Sequence, residues 1–575
     1  MLSASGRFVT AFNGEIYNFR QLRELLTNTT FRGTSDTEVL LAAVEAWGVP
    51  AALAKFNGMF ALAIWDRKER ALYLARDRFG EKPLFYGTDD SGALMFGSEL
   101  KALRANPAFT PRVDAIALSE FLRYSYVPAP RTILCNIKKL PPSTYIKIQS
   151  PADVTREPMT YWSLSDVAEA SRSSPFRGSL QDAVAELESL LTESIRLRTV
   201  ADVPLGAFLS GGVDSSTVVA LMRQTSGRRP KTFTIGFSEQ THNEAENAKA
   251  VAKHLGTDHT EQYVSAQEAL DVIPALPILY DEPFADSSQI PTYLVSKLAR
   301  REVTVVLSGD AGDELFCGYP RYEALPRIWR QLSRIPLSAR RGLRSLLDRV
   351  PIADFDGVLK VASRGRLTGE WLRSVSRLVG SASADELYAN LLSAWTDHLP
   401  TVLQERACPP PSAASAPSSA PKHFSMVERA MLTDSLAYLP DDILVKLDRA
   451  SMGVSLEARV PLLDPSIAAF AWRLPASMRT ADRGRKSVLR GVLERHVPRD
   501  LIERPKMGFG VPLHQWLRGP LRDWAEAALS ERRLRDEGNF DVREVRRRWQ
   551  EHMNGSSDWA RQLWPILMFQ AWSDA

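Results

Sequence analysis

The sequence predicts a chain in two parts: an α+β N-terminal unit, then an α/β unit on a doubly wound parallel sheet with a helical C-terminal part. Over the first ~110 residues, four short β runs follow one another with tight connections, which favours antiparallel pairing. From about Ser179, apolar strands alternate with amphipathic helices, the order typical of a parallel sheet covered by helices. After about Tyr319, helical patterns dominate.

Each element of the N-terminal unit has a local signal. RFVTAF predicts a strand, and YNFRQLREL predicts a short amphipathic helix. In FNGEIYN, the residues Asn13 and Gly14 interrupt the apolar run and predict a turn. SDTEVLLAAVEAWG predicts a helix that Ser35 opens, with Glu38 completing a capping box. The β runs MFALAIWD, ALYLARD, PLFYG and LMFGSEL follow.

Domain boundaries follow from changes in composition. The prolines of YVPAPRTILCNIKKLPPSTY suit a crossover, so we place the N-terminal unit at 1–125, a connection at 126–178 and the second unit at 179–575. Residues 408–422, CPPPSAASAPSSAPK, have the Pro/Ser/Ala bias of a flexible insert.

Composition limits the class of protein. The chain has 575 residues, 44% of them hydrophobic, and a net charge of +4 with basic residues spread among acidic ones, so no nucleic-acid partner is indicated. No segment reaches the ~18 apolar residues of a membrane span, and no signal peptide is visible, so we expect a cytoplasmic protein. Cys135, Cys317 and Cys408 lie in three different contexts. This argues against a disulfide framework and a structural zinc site, and fits a reducing compartment.

The stretch FLSGGVDSSTVV, residues 208–219, places glycine and serine residues between a predicted strand and a helix. The backbone N–H groups and hydroxyls of Ser210–Ser216 then converge at a helix N-terminus, which is a phosphate-binding geometry. Asp214 within this loop suggests Mg²⁺ bridging its carboxylate and phosphate oxygens. The GK[ST] ending of an ordinary nucleotide P-loop is missing, which argues against a kinase or GTPase.

A second polar cluster follows another predicted strand, in LSGDAGDELFCGY. Ligands of open α/β sheets bind at the carboxyl ends of strands, so Ser308, Gly309, Asp310, Asp313 and Glu314 are expected beside the first loop. Taken alone, this cluster is explained equally well as an acidic surface turn.

These two clusters, together with FNGEIYN, SDTEVLL, ARDRFGEKPLFY, DEPFADSSQIPTYL and LEARVPLLD, resemble those of the glutamine-hydrolysing asparagine synthetases and AsnB-like amidotransferases, as far as about Trp516. The resemblance implies an Ntn-hydrolase-like glutaminase domain followed by an ATP pyrophosphatase domain of the PP-loop type. It also implies that ammonia from glutamine reaches an aspartate that ATP and Mg²⁺ have activated as β-aspartyl-AMP, with release of AMP and pyrophosphate.

The resemblance also implies roles for individual residues. Asn13 and Gly14 would supply oxyanion donors to the glutaminase, and Glu15 and Asp36 would hold the amino end of glutamine. The implied ATP-binding residues are Phe208, Leu209, Ser210, Gly211, Gly212, Val213, Asp214, Ser215, Ser216, Ile235, Ser308, Gly309 and Lys506.

In the synthetase part, the implied metal-side carboxylates are Asp214 and Asp313, and the implied catalytic residues are Asp310 and Lys486. Cations such as Lys486 would stabilise the negative charge that gathers on phosphorus. At position 310 the best-known asparagine synthetases have glutamate, so the shorter Asp310 leaves the acceptor carboxylate less certain than the reaction.

Several expectations remain open at this stage. The family's N-terminal nucleophilic cysteine is not found in the chain as written, so we expect an incomplete glutaminase and the use of free ammonia, unless translation starts upstream. The alternatives are an amidotransferase acting on a sugar acid or peptide carboxylate, and a catalytically silent scaffold. The expected partners are small molecules, aspartate or a related carboxylate with glutamine or ammonia. A homodimer is the assembly considered.

Overall fold

A computed structural model describes residues 1–237, 245–349, 375–376, 378–395, 421–480, 484–503 and 511–575. Lys506 and residues 408–420 of the expected insert lie outside these ranges. Within them, no helix is both long enough and apolar enough to cross a membrane.

The N-terminal unit contains two antiparallel sheets, as the short β runs predict. The first has the order β1-β2-β3-β7-β8 and the second β5-β4-β6. The stretch 126–178, expected as a connection, supplies β6, β7 and β8, so these sheets extend beyond residue 125. The strands are β1 Phe8–Ile16, β2 Gly58–Asp66, β3 Ala71–Arg76, β4 Phe85–Thr88, β5 Leu94–Gly97, β6 Ile137–Lys139, β7 Thr144–Ile148 and β8 Met159–Thr160.

Helices cover the N-terminal sheets. The helix Asp36–Trp47 begins as predicted, because the Ser35 hydroxyl accepts a hydrogen bond from the Glu38 N–H at 3.3 Å. The expected capping box is incomplete, since the Glu38 carboxylate accepts from the N–H groups of Arg32 and Gly33 instead. The helices of residues 1–178 are Phe19–Leu25, Asp36–Trp47, Val49–Lys55, Leu100–Arg104, Ala115–Tyr124 and Leu164–Ser173, with a 3-10 turn at Pro151–Thr155.

The second unit is built on a parallel sheet with the order β11-β10-β9-β12-β13. Its strands are β9 Leu205–Phe208, β10 Lys231–Phe237, β11 Asp258–Val264, β12 Val305–Leu307 and β13 Glu457–Arg459. The helix Leu180–Arg198 precedes β9. The helices that follow β9, up to the one after β12, are Val213–Ser226, Ala245–Leu255, Ala266–Leu270, Leu276–Tyr280, Gln289–Arg300 and Gly312–Leu315, with a 3-10 turn at Ile273–Ala275.

The rest of the described chain is helical, as predicted. Pro320–Leu332 and Leu337–Arg349 follow the sheet, and a π-helical segment, Asp434–Ile443, leads without a break into Leu444–Met452. The other helices are Ala384–Leu392, Met426–Thr433, Pro465–Arg473, Ala476–Arg479, Ser487–Glu494, Arg499–Ile502, Leu513–Arg518, Arg522–Ala528, Glu531–Glu537, Val542–Met553 and Ala560–Asp574.

Apolar packing and buried ion pairs both join the two units. One apolar core runs from the second N-terminal sheet through the parallel sheet into the C-terminal helices. Across the same junction, Lys82 Nζ lies 3.0 Å from Asp448 Oδ1, and Lys139 Nζ lies 2.5 Å from Glu282 Oε1, all four side chains being buried. A buried charge is stable only beside a partner of opposite sign, so these pairs hold the two units in one relative position.

The cysteines differ in one respect from the sequence argument. Cys317 is a free, buried thiol. Cys135 is disulfide-bonded, whereas the sequence argued against a disulfide framework and for a reducing compartment. Spacing along the chain could not show this, because a disulfide depends on which residues meet in three dimensions.

Candidate active site

The loop after β9 forms one wall of the candidate site. Gly211 has a φ of +74°, and a Cβ there would lie about 3 Å from backbone atoms of the helix Ala245–Leu255, so this position suits glycine alone. The Ser210 and Ser215 hydroxyl oxygens lie 2.9 Å apart and fix the loop. The helix Val213–Ser226 begins directly after the loop, with Gly212 at its N-cap. The phosphate-binding interpretation expects a helix N-terminus at this place.

The loop after β12 forms the facing wall. Ser308 donates from its hydroxyl to Asp310 Oδ2 at 2.6 Å, which orients that carboxylate. A Cβ on Gly309 would lie 2.6 Å from the backbone nitrogen of Ser215, so the two loops touch. Ala311 adopts a left-handed φ of +73° as the chain turns into the next helix. The expectation that the two polar clusters share one edge of the sheet is confirmed.

Lys486 joins the acidic residues of the two loops. Its ammonium contacts the Asp214 carboxylate and lies 2.7 Å from Asp313 Oδ1. Burial alone would lower the pKa of Lys486, but these two carboxylates raise it, so the ammonium stays charged. Glu314 of the same motif is buried, and burial together with the Asp313 charge raises its pKa to about 7.

A cavity of about 380 Å³ lies between these loops. Ser216 is fully buried behind the first loop and does not line it. The predicted site residues that do line it are Phe208, Leu209, Ser210, Gly211, Gly212, Val213, Asp214, Ser215, Ile235, Ser308, Gly309, Asp310, Asp313 and Lys486.

One side of the cavity is apolar. Leu209 is buried directly after β9 and Ile235 is buried within β10, and the Leu209 N–H donates to the carbonyl of Phe233 at 3.0 Å. Phe233 and Val295 add apolar surface to the same lining. An apolar wall with backbone edges beside it can hold a flat heterocyclic ring.

Three further cations line the cavity that the sequence argument did not identify. Arg485 and Arg490 flank Lys486 in RGRKSVLRG, where a cluster of basic residues offered a signal. Lys446 comes from the helix Leu444–Met452, where LVKL surrounds it with apolar residues and gives no signal.

The FNGE segment differs from its predicted conformation. Asn13, Gly14 and Glu15 do not form a turn but lie within β1, paired with β2. Gly14 has a φ of +147°, and a Cβ there would lie 2.0 Å from the carbonyl oxygen of Met59, so only glycine lets the strands approach. The Asn13 side-chain amide donates to the Ser98 hydroxyl at 3.2 Å. Strand pairing therefore overrides the local turn preference of Asn-Gly.

Glu15 and Asp36 lie beside the end of β1. Asp36 Oδ2 accepts a hydrogen bond from the Ile16 N–H at 2.9 Å, which anchors the helix to the strand. Burial raises the pKa of Glu15 to about 7, although the Arg459 guanidinium, 3.4 Å from its carboxylate, opposes the rise. Because Arg459 belongs to β13, this contact links the N-terminal unit to the parallel sheet.

No group of three or more His, Cys, Asp or Glu side chains within the described ranges is arranged to hold a metal ion by itself. The carboxylates that line the cavity belong to Asp214, Asp310 and Asp313, and the first and the last of these contact the Lys486 ammonium. Two carboxylates fit a hard cation that takes its other ligands from water or from a bound phosphate.

The chain is similar to proteins of two described families and to several enzymes. Residues 186–574 match the asparagine synthase family, and residues 1–162 match the glutamine amidotransferase domain. A relative from Mycobacterium tuberculosis is 35% identical over 99% of this chain and 84% of its own length. Asparagine synthetase [glutamine-hydrolyzing] 1 of Bacillus subtilis is 32% identical over 98% and 84%, and asparagine synthetase B of Escherichia coli is 32% identical over 55% and 53%.

Proposed function

This chain belongs to the asparagine synthase family, and from that premise we propose that it is an ATP-dependent ligase that amidates L-aspartate to L-asparagine through β-aspartyl-AMP, releasing AMP and pyrophosphate. The supporting observation is the cavity where the serine and glycine loop, Asp310 and the Lys486 ammonium meet. Acyl transfer by way of an adenylate needs this combination of a phosphate cradle, a carboxylate site and fixed cations.

In this proposal the loop Ser210–Ser216 holds the β and γ phosphates of ATP, so that pyrophosphate is the leaving group. Lys486 is fixed by two carboxylates and already charged, so it stabilises the negative charge that collects at the α phosphorus without reorganising. Leu209 and Ile235 border the apolar wall where we place the adenine ring.

We propose that Asp214 and Asp313 hold Mg²⁺ together with the phosphates. The chemistry of the site fits, because Mg²⁺ is usually bound by one or two carboxylates plus phosphate oxygens and water. When bound, the ion would neutralise phosphate charge. The carboxylates alone already set the position of the Lys486 ammonium.

On the other wall, we propose that Asp310 acts in forming the acyl-adenylate. Its carboxylate lines the cavity and is held by the Ser308 hydroxyl at 2.6 Å. Within the N-terminal unit, we propose that Asn13 and Gly14 are oxyanion donors and that Glu15 and Asp36 hold the amino end of glutamine. One oxyanion donor is worth about 3 kcal/mol of transition-state stabilisation.

The test is ATP–pyrophosphate exchange, with ammonium chloride as nitrogen source in the full reaction, so that the synthetase half is measured by itself. We expect exchange only when aspartate is present, and asparagine, AMP and pyrophosphate in equal amounts in the full reaction. Asp214→Asn should abolish both, whereas Asp202→Asn, a change at an exposed aspartate, should change neither. Formation of ADP and phosphate would overturn the proposal.

A further inference from the structure

Lys446 is a partly buried cation on the cavity wall that the proposed chemistry does not use. Its side chain is 12% exposed, and its Nζ lies 3.0 Å from Asp286 Oδ2. In the described part of the chain, Asp286 is the one hydrogen-bond acceptor of this ammonium. An ammonium has three N–H donors, so two are left without an acceptor in a place where a buried donor needs one.

The direction of Lys446 is fixed from both ends. Asp286 accepts hydrogen bonds from the Ser288 N–H at 2.9 Å and from the Ser288 hydroxyl at 2.7 Å, so its carboxylate is held in place independently of the lysine. The Tyr280 hydroxyl donates to the Lys446 carbonyl at 3.3 Å, which ties down the backbone. A long, flexible side chain is therefore held beside the cavity at little further entropic cost to a ligand.

The surroundings of Lys446 are acidic. Burial would lower the pKa of its ammonium, but the carboxylates of Asp286, Asp442 and Asp310 outweigh this and raise it, so the lysine is charged. Burial, and then repulsion by Asp286, raise the pKa of Asp442 well above the usual range, which favours its neutral form. A simple dianion would be repelled by Asp310. A ligand group that carries a carboxylate and an ammonium together matches the lysine and its acidic neighbours.

Lys446 is also separate from the cations that serve the phosphate loop. Lys486 is engaged by Asp214 and Asp313, and Arg485 and Arg490 flank it in the chain. Lys446 belongs to another helix, and its partner Asp286 precedes the helix Gln289–Arg300. The cavity thus has Lys486, Arg485 and Arg490 beside the phosphate loop, and Lys446, from another helix, is left for the other substrate.

One carboxylate of the acceptor is adenylated. We propose that Lys446, oriented by Asp286, binds the acceptor's other carboxylate, so that the site selects α-amino acids with a second carboxylate. The inference rests on the proposed function and adds to it a residue that determines the class of acceptor. The acceptor's α-carboxylate accepts hydrogen bonds from the two N–H groups of Lys446 that Asp286 does not engage, and its α-ammonium faces Asp310.

The probe for this proposal is β-alanine, which is aspartate without the α-carboxylate. ATP–pyrophosphate exchange at saturating ATP gives kcat/KM for each acid, and wild-type protein should prefer aspartate strongly. In Lys446→Gln, we expect the KM for aspartate to rise by about 10- to 100-fold, the loss expected for a charged hydrogen bond, while kcat/KM for β-alanine changes little. The KM for ATP should stay unchanged.

Asp286→Asn tests the positioning role. We expect a smaller rise in the KM for aspartate than in Lys446→Gln, with kcat nearly unchanged. The lysine keeps its charge, but its side chain is no longer oriented by a carboxylate. The double variant Lys446→Gln/Asp286→Asn should be no worse than Lys446→Gln, since Asp286 acts through Lys446. It also removes both charges of the pair, which keeps the test valid if the single variant folds poorly. Lys446→Arg should recover part of the preference for aspartate.

The matched control is Lys297→Gln, a change at an exposed lysine on the neighbouring helix Gln289–Arg300, which should behave as wild type. Wild-type protein that supports no exchange with any acid would refute the proposed function itself. Active wild type with an unchanged preference in Lys446→Gln would refute the role of Lys446 alone. A raised KM for ATP with an unchanged preference would assign Lys446 to the nucleotide and also overturn the proposal.

Discussion

Glu81→Gln is expected to make the stability of the protein less dependent on pH. The Glu81 side chain lies at the junction of the two units, is 6% exposed and accepts a hydrogen bond from the Val460 N–H. Burial, and then repulsion by Asp77, raise its pKa to about 8, although Arg198 and Lys82 oppose the rise. At neutral pH the folded protein therefore holds a proton on this carboxyl.

The magnitude follows from the difference between the folded and unfolded carboxyl. The unfolded side chain loses its proton above a pKa of 4.5, whereas the folded one keeps it up to about 8. The folded state binds more protons in this window, so stability is fully present below it and falls as pH rises through it. Between these two pKa values, each rise of one pH unit lowers the free energy of unfolding by about 1.4 kcal/mol. A rise from about pH 5.5 to about pH 7.5 therefore lowers it by about 3 kcal/mol.

Scanning calorimetry of wild type and Glu81→Gln at these two pH values measures the effect. Glutamine does not titrate, so the Tm of the variant should rise relative to that of wild type by about 2–3 °C between the lower and the higher pH, because unfolding a chain of 575 residues has an entropy of about 1.2 kcal/mol/K. Glu24→Gln, a change at an exposed glutamate, controls for the loss of a surface charge and should show no such gain. An equal pH dependence in Glu81→Gln and wild type would refute the reasoning, because the Glu81 proton would then be lost equally in both states.

Two further predictions concern charges that the fold fixes in place. Lys486→Ala should slow ATP–pyrophosphate exchange by about 100- to 1000-fold without changing the Tm greatly, because it removes a fixed cation from the transition state; unchanged exchange kinetics would leave Lys486 with a structural role only. Lys82→Met should lower the free energy of unfolding by about 1–3 kcal/mol, because it removes one of the two cations that contact the buried Asp448 carboxylate and leaves Arg449 as the other. A variant as stable as wild type by urea unfolding would contradict a buried pair.

Much of the site could be predicted because it depends on strand order and local geometry. Parallel strands bring their carboxyl ends to one edge, so the loops carrying Ser210–Ser216 and Asp310 had to meet once the alternation of strands and helices was recognised. Gly309 marks the close approach of the two loops, and Gly211 marks that of the first loop to the helix Ala245–Leu255. Lys486 could be assigned only through the family resemblance, since a single lysine in a helical pattern carries no signal of its own.

What the sequence could not predict depends on contacts between distant segments. Asn13 and Gly14 have turn propensity, but pairing with β2 draws them into a strand. Prolines in 126–178 indicated a crossover, yet three strands from that stretch return to the N-terminal sheets. Lys446 and Asp286 are 160 positions apart and meet only because the helix of Lys446 packs beside the helix that Asp286 precedes, and no local pattern records such a pair.

The ion pairs at the junction also affect whether the two units could be encoded by separate genes. If the chain were cut between its units, Lys82 and Lys139 would stay with one product, and Asp448 and Glu282 with the other. In each product, buried charges would lose a partner that lies on the other side of the cut, although Asp448 would keep Arg449. A split version would need both fragments made together at matched amounts, or compensating replacements on both sides of the cut. The junction therefore favours keeping the two units on one polypeptide.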